Sequence, residues 1–184
     1  MNIKIVLAGV GGQGILFATK ILSETAAEKG HNIIGSETHG MSQRGGSVTS
    51  YLKIGDYSSP LVMIGEADYI YGYNSDETIK NLPFLRPGGV CFADSTAENF
   101  SDELNKWISD NHISVHKIPA GELALKLGSP KSANLVLLGF SAAHDSSPFT
   151  KSELFETIKK VTPSRFLDDN IRCFEAGFSA FNGK

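Results

Sequence analysis

Cysteine is nearly absent from this chain. Only Cys91 and Cys173 occur in 184 residues, far apart and in no C-x-x-C pair. Two thiols are too few to hold an iron–sulfur cluster, and unpaired cysteines fit a reducing cytoplasm. Both read as small buried hydrophobes. No apolar run approaches the roughly 20 residues that a membrane span requires. Met1 leads straight into a β-branched segment without a charged leader, so a cytoplasmic protein is expected. A basic excess is also missing: 17 Lys and Arg against 20 Asp and Glu give a net charge of -3. That balance argues against a nucleic-acid partner and gives no pull toward an anionic membrane. Linkers, low-complexity tracts and charge runs are lacking too, so residues 1–184 read as a single domain.

What is present is an alternation of apolar strands and amphipathic helices. Residues 2–8 form a short β-branched run that suits a buried parallel strand. Ile15, Ala18, Ile21, Leu22, Thr25 and Ala26 then mark one face of a helix that ends at Gly30. Ile33 and Ile34 supply the next strand, completing a βαβ unit. Residues 36–46 have no periodicity and read as a structured loop, and 47–54 alternate as a strand. Further strands are expected at 67–73, 90–93 and 113–118. Helices are expected at 75–85, around Trp107, and at 121–127, 133–143, 151–160 and 171–181. Pro87-Gly88-Gly89 reads as a turn. The expected class is α/β: a three-layer α/β/α, Rossmann-like fold with a mostly parallel sheet.

Gly9-Val10-Gly11-Gly12-Gln13-Gly14 lies between the first strand and the first helix. Glycine there allows positive φ and close approach of a phosphate to the backbone. The free N–H groups and dipole of the helix start favour an anion, and Gln13 can offer amide hydrogen bonds. A dinucleotide site also needs an acidic residue near the end of the second strand, and Glu37 stands close to that place. The plainer alternative is a tight turn with no ligand, or one that packs on a partner.

The loop Glu37-Thr38-His39-Gly40-Met41-Ser42-Gln43-Arg44-Gly45-Gly46 is polar between two apolar strands. Arg44 can fork onto phosphate or carboxylate, and Gly45-Gly46 lets a large group lie on the backbone. His39 could move protons near neutral pH. Equally, Arg44 could pair with Glu37, and His39 could simply hold a carbonyl.

The two segments together closely resemble the small subunits of indolepyruvate ferredoxin oxidoreductases. More broadly they resemble the gamma subunits of 2-oxoacid:ferredoxin oxidoreductases. Pro87-Gly88-Gly89, Asn134 and Leu138-Gly139 extend the likeness over most of the chain, while the tail after Phe149 adds little. The resemblance implies thiamine diphosphate and iron–sulfur clusters on a large partner subunit, coenzyme A as co-substrate, and ferredoxin as electron acceptor. It implies no cofactor tightly bound to this chain and an isolated chain that does not turn over. A dimer of heterodimers would suit it. Gly9, Gly11, Gly12, Gln13, Gly14, Glu37, Gly45 and Gly46 would face the cofactor side, with His39 and Arg44 completing the partner's site. Asn74 stands where similar subunits tend to carry glutamate, which leaves its role open.

Other readings remain: an independent NAD(P)-binding oxidoreductase, or a pure assembly subunit. Residues 135–143 loosely suggest a nucleophile elbow around Ser141, but no acid and histidine follow in the required order. His112 and His116 straddle a loop-to-strand junction, so no metal site is expected. Gly-Phe-Ser-Ala occurs at Gly139 and again at Gly177, without a longer period to make it a repeat.

Overall fold

The computed structural model describes residues 1–39, 45–96 and 100–181. Six strands run in chain order: β1 (Ile3–Val10), β2 (Ile33–His39), β3 (Ser47–Ile54), β4 (Ala67–Gly72), β5 (Leu85–Asp94) and β6 (Ser114–Ile118). Seven α-helices accompany them: α1 (Ile15–Glu28), α2 (Ser75–Asn81), α3 (Asp102–Asp110), α4 (Ala120–Lys126), α5 (Ala133–Ala142), α6 (Lys151–Val161) and α7 (Ser164–Ser179). The strands form one sheet in the order β2-β3-β1-β4-β5-β6. β1, β4, β5 and β6 are parallel, while β3 is antiparallel to both β1 and β2.

Strand alternation sorts side chains onto two faces and so produces three layers. Ile5, Leu7, Leu52, Tyr71 and Phe92 point into one core, against α1, α5, α6 and α7. Val6, Ile70, Cys91 and Ala93 point into the other, with Leu82 and the apolar side of α3. Each of the fully buried Leu or Ile side chains contributes roughly 1.5–3 kcal/mol. The apolar face expected of α1 is the one it buries: Ile15, Ala18, Ile21, Leu22, Thr25 and Ala26.

Three boundaries depart from the sequence reading. Ser36 to His39 are not loop but the second half of β2, because Glu37, Thr38 and His39 pair with Ser50, Thr49 and Val48. An edge strand tolerates such polar residues, since its outer side meets water. Pro87-Gly88-Gly89 does not end an element. Ala67 pairs with Leu85 and Tyr69 with Val90, so residues 86–89 bulge out within β5 opposite Asp68 alone. The last helix begins at Ser164, a full seven residues before the periodic apolar stripe, with Pro163 at its N-cap. The two cysteines lie on opposite faces of the sheet, both buried as expected, and burial pushes the Cys91 thiol up to about 12.

Candidate functional site

Part of the glycine turn is committed to the fold. Gly9 and Gln13 face inward. A side chain at Gly9 would run into Gln13 and Ile15. The Gln13 amide oxygen accepts from the Val10 N–H at 2.8 Å, and its nitrogen donates to the Tyr73 carbonyl at 2.7 Å. Gln13 is therefore a brace between β1 and the end of β4. Gly12 and Gly14 have φ of 100° and 74°, a region that favours glycine; Gly12 opens on free space, whereas a side chain at Gly14 would run into Asn134. Gly14 is the N-cap of α1, its carbonyl accepts from Asn134 Nδ2 at 3.0 Å, and no side chain caps the helix.

The first turn of α1 is Ile15-Leu16-Phe17, with no acidic residue to answer its N–H groups. α2, α3 and α6, by contrast, are capped by Asn74, Ser101 and Thr150. Asn74 thus has a structural task, accepting from the Glu77 N–H at 3.1 Å.

The polar loop is tied to this turn at its far end. The Gly11 N–H donates to the Gly46 carbonyl at 2.9 Å. Ser47, at the start of β3, donates to Glu77 Oε2 at 2.5 Å, and Lys80 donates to Glu77 Oε1 at 2.7 Å. Burial pushes the Glu77 carboxyl up, but the hydrogen bonds from Lys80 and Ser47 outweigh it and hold the carboxyl below its ordinary range. Ser47 and Glu77 were not foreseen. The N-x-x-E spacing of Asn74 and Glu77 at a helix start was the signal that could have found the latter.

Three clefts open around these elements. One of about 500 Å³ is bounded by Gly11, Gly12, Gly14, Leu16 and Val48. A second, of about 480 Å³, meets it at Leu16 and continues between α1 and β2. A third, of about 230 Å³, lies among Gln13, Tyr73, Asp94, Gly121 and Lys131, at the carboxyl ends of β1, β4 and β5. β1 is followed by α1 on the face of Leu7, whereas α2 leads to Leu82 on the face of Val6. The crevice between β1 and β4 is thus a topological switch point, where open α/β sheets bind ligands. Desolvation raises the Asp94 pKa above its ordinary value, partly countered by the Gly121 N–H that it accepts at 3.1 Å.

Glu37 sits on β2, and β3 separates β2 from β1. It therefore stands two strand spacings from the glycine turn, roughly 9–10 Å, where a dinucleotide fold needs one. That displacement removes the geometric basis for the independent NAD(P) reading. Gly45 and Gly46 lie beside the turn through the Gly11 bond. Of His39 only the backbone is described, and Arg44 falls outside the described residues. Ser141 is buried inside α5 and donates to the Leu138 carbonyl at 2.8 Å, so it is no nucleophile elbow. His112 occupies a turn with φ of 54° and His116 lies in β6. No cluster of three or more metal-ligating side chains occurs among the described residues. No helix of the described residues is long and apolar enough to cross a membrane.

Known proteins resemble the chain in sequence and in fold. A family model described as pyruvate ferredoxin/flavodoxin oxidoreductase matches residues 4–180. The chain is 35% identical to the indolepyruvate oxidoreductase subunit IorB of Methanothermobacter thermautotrophicus, over 98% of each chain. Its fold is similar to the keto/oxoacid ferredoxin oxidoreductase gamma subunit from Geobacter sulfurreducens, with a TM-score of 0.74, 24% identity and 96% of both chains covered. The 2-oxoglutarate:ferredoxin oxidoreductase from Magnetococcus marinus, solved with 2-oxoglutarate, coenzyme A and succinyl-CoA bound, gives the same TM-score of 0.74 at 21% identity. There, all of this chain matches 32% of a longer one.

Proposed function

Because the chain belongs to the pyruvate ferredoxin/flavodoxin oxidoreductase family and is the small subunit of a 2-oxoacid:ferredoxin oxidoreductase, we propose that its complex acts on indolepyruvate or a close aryl pyruvate. The 2-oxoacid loses carbon dioxide, coenzyme A captures the acyl group through its thiol, and two electrons pass singly to ferredoxin. Near-complete coverage of an indolepyruvate subunit favours that substrate class.

The observation that carries a role for this chain is the uncapped start of α1 beside the stem of the second loop. Gly12, Gly14 and the N–H groups of Ile15 to Phe17 would receive the diphosphate of coenzyme A. Gly45 and Gly46 would let it lie close, Glu37 would bound the outer side, and Arg44 and His39 would complete the partner's catalytic site. The redox groups belong to the partner subunit. Cys91 and Cys173 are buried on opposite faces, so this chain cannot ligate an iron–sulfur cluster. Thiamine diphosphate, bound by that partner, supplies the decarboxylation chemistry. The buried, unpaired thiols suit a cytoplasmic complex, which we take to be a dimer of heterodimers.

The test is purification of the native complex from its source cells. A large thiamine and iron–sulfur subunit should accompany the chain, with ferredoxin reduction dependent on indolepyruvate and coenzyme A. Arg44→Ala should lower turnover without loss of assembly. A free monomer in cells would refute the proposal, and a defect in assembly alone would reduce the chain to a scaffold.

A further inference from the structure

The antiparallel ladder of β1 and β3 ends at the pair Val10 and Ser47, with Gly9 and Val48 the pair before it. One more bond, from the Gly11 N–H to the Gly46 carbonyl, carries the contact on into the glycine turn. Strand alternation sends neighbouring side chains to opposite faces. Val48 lines the cleft beside Gly11 and Gly12. Ser47 points the other way and donates to Glu77 on α2. The last residue of the cleft wall is therefore pinned from behind the sheet.

The pin is a carboxylate only 5% exposed. Its own helix does not require it. At α6 the third residue, Glu153, turns back and accepts from the Thr150 N–H at 2.8 Å. At α2 the corresponding Glu77 reaches out of the helix instead, one oxygen to Ser47 and the other to Lys80. A buried ion pair is weak ground for stability, because desolvation offsets most of its attraction. What it fixes is position.

We infer that Glu77 is a positioning residue: by holding Ser47 it sets the distance between the Gly45-Gly46 stem and the glycine turn, and with it the width of the cleft. Glu77 lines none of the three clefts around the turn and acts only through Ser47. The inference rests on the reading that the turn receives the diphosphate of coenzyme A. A cleft of the wrong width then weakens coenzyme A and leaves the 2-oxoacid, held by the partner, unaffected.

The experiment uses the intact complex, with Glu77→Ala, Glu77→Gln, Ser47→Ala and the Ser47→Ala/Glu77→Ala pair. KM is measured separately for coenzyme A and for the 2-oxoacid, and amide exchange at Ile15 to Phe17 is followed with and without coenzyme A. In the natural complex coenzyme A should slow that exchange. Glu77→Ala and Ser47→Ala should each raise the KM for coenzyme A about tenfold, the worth of one hydrogen bond, and leave that for the 2-oxoacid in place. The pair should be no worse than either single change, since both remove the same contact. Glu77→Gln should bring the KM for coenzyme A back to within about twofold, because its amide oxygen still accepts from Ser47. Ser47 is exposed, so Ser47→Ala keeps the test open if Glu77→Ala fails to assemble. Equal rises in both KM values, or a KM for coenzyme A that no variant moves, overturn the positioning role and leave the turn's role standing. Exchange at Ile15 to Phe17 that coenzyme A leaves unchanged in the natural complex overturns the turn reading, and the inference with it.

Discussion

Gly139 and Gly177 each meet the backbone of the other's helix where α5 crosses α7. A methyl group added at Gly139 would lie 1.9 Å from the Phe174 carbonyl oxygen, and one at Gly177 the same distance from that of Val136. Val136 and Phe174 each stand three residues before the glycine of their own helix, so the two contacts mirror each other. The shared Gly-Phe-Ser-Ala is thus no sequence repeat, yet both copies serve one crossing.

Gly139→Ala and Gly177→Ala should each destabilise the fold by about 2–3 kcal/mol, overpacking outweighing the roughly 1 kcal/mol gain in helix propensity. Urea unfolding would show it as a lower midpoint with unchanged slope. The double variant should cost less than the sum, because the first forced separation relieves the second.

Gln13→Ala should cost about 2 kcal/mol, since it leaves the Val10 N–H and the Tyr73 carbonyl without their partner. Chemical denaturation is the measure. A stability equal to that of the natural chain would mean that water replaces the brace.

His144 has its ring 4.0 Å from that of His116 and 4.1 Å from that of Phe181. Burial, with His116 beside it, lowers its pKa to about 4. The unfolded chain therefore binds a proton that the folded one refuses as pH falls from about 6.5 to about 4. Stability should decline across that window, and His144→Gln should flatten the decline. The effect is about 1 kcal/mol, less than the full shift, because part of the ring meets solvent. Melting temperatures taken every half pH unit would reveal it.

Glu77 adds a second loss of stability on acidification, at lower pH than that of His144. Its folded pKa lies below the usual 4.5, so its contribution is present above that value and is lost as pH falls through the folded pKa. Glu77→Gln should remove this acid-limb slope. Glu77→Ala should also speed hydrogen exchange at the Gly11 amide, because Ser47 loses the anchor that steadies Gly46. Unchanged exchange at Gly11 would show that the stem of the loop holds itself.

Much of this molecule was readable beforehand. The apolar stripe of α1 named its buried residues, and the strand-turn-helix order located the positive-φ glycines Gly12 and Gly14. Polar strand residues were less readable. Ser36 to His39 carry no alternation because an edge strand with water on one side does not require it. The bulge at residues 86–89 looked like a terminus because Pro and Gly punctuate chains locally, whereas a register shift depends on the neighbouring strand.

The sequence by itself determined the α/β class, the glycine turn between the first strand and the first helix, the poverty in cysteine, and the family. Those properties are local, set by periodicity, glycine conformational freedom and composition. Only the tertiary structure decided that β3 stands between β1 and β2, carrying Glu37 away from the turn and bringing Ser50 to the groove. It also turned Gln13 inward and set Gly139 against Phe174. Each of these depends on contacts between residues distant in the chain, and pairing across such distances leaves no period in the sequence to read.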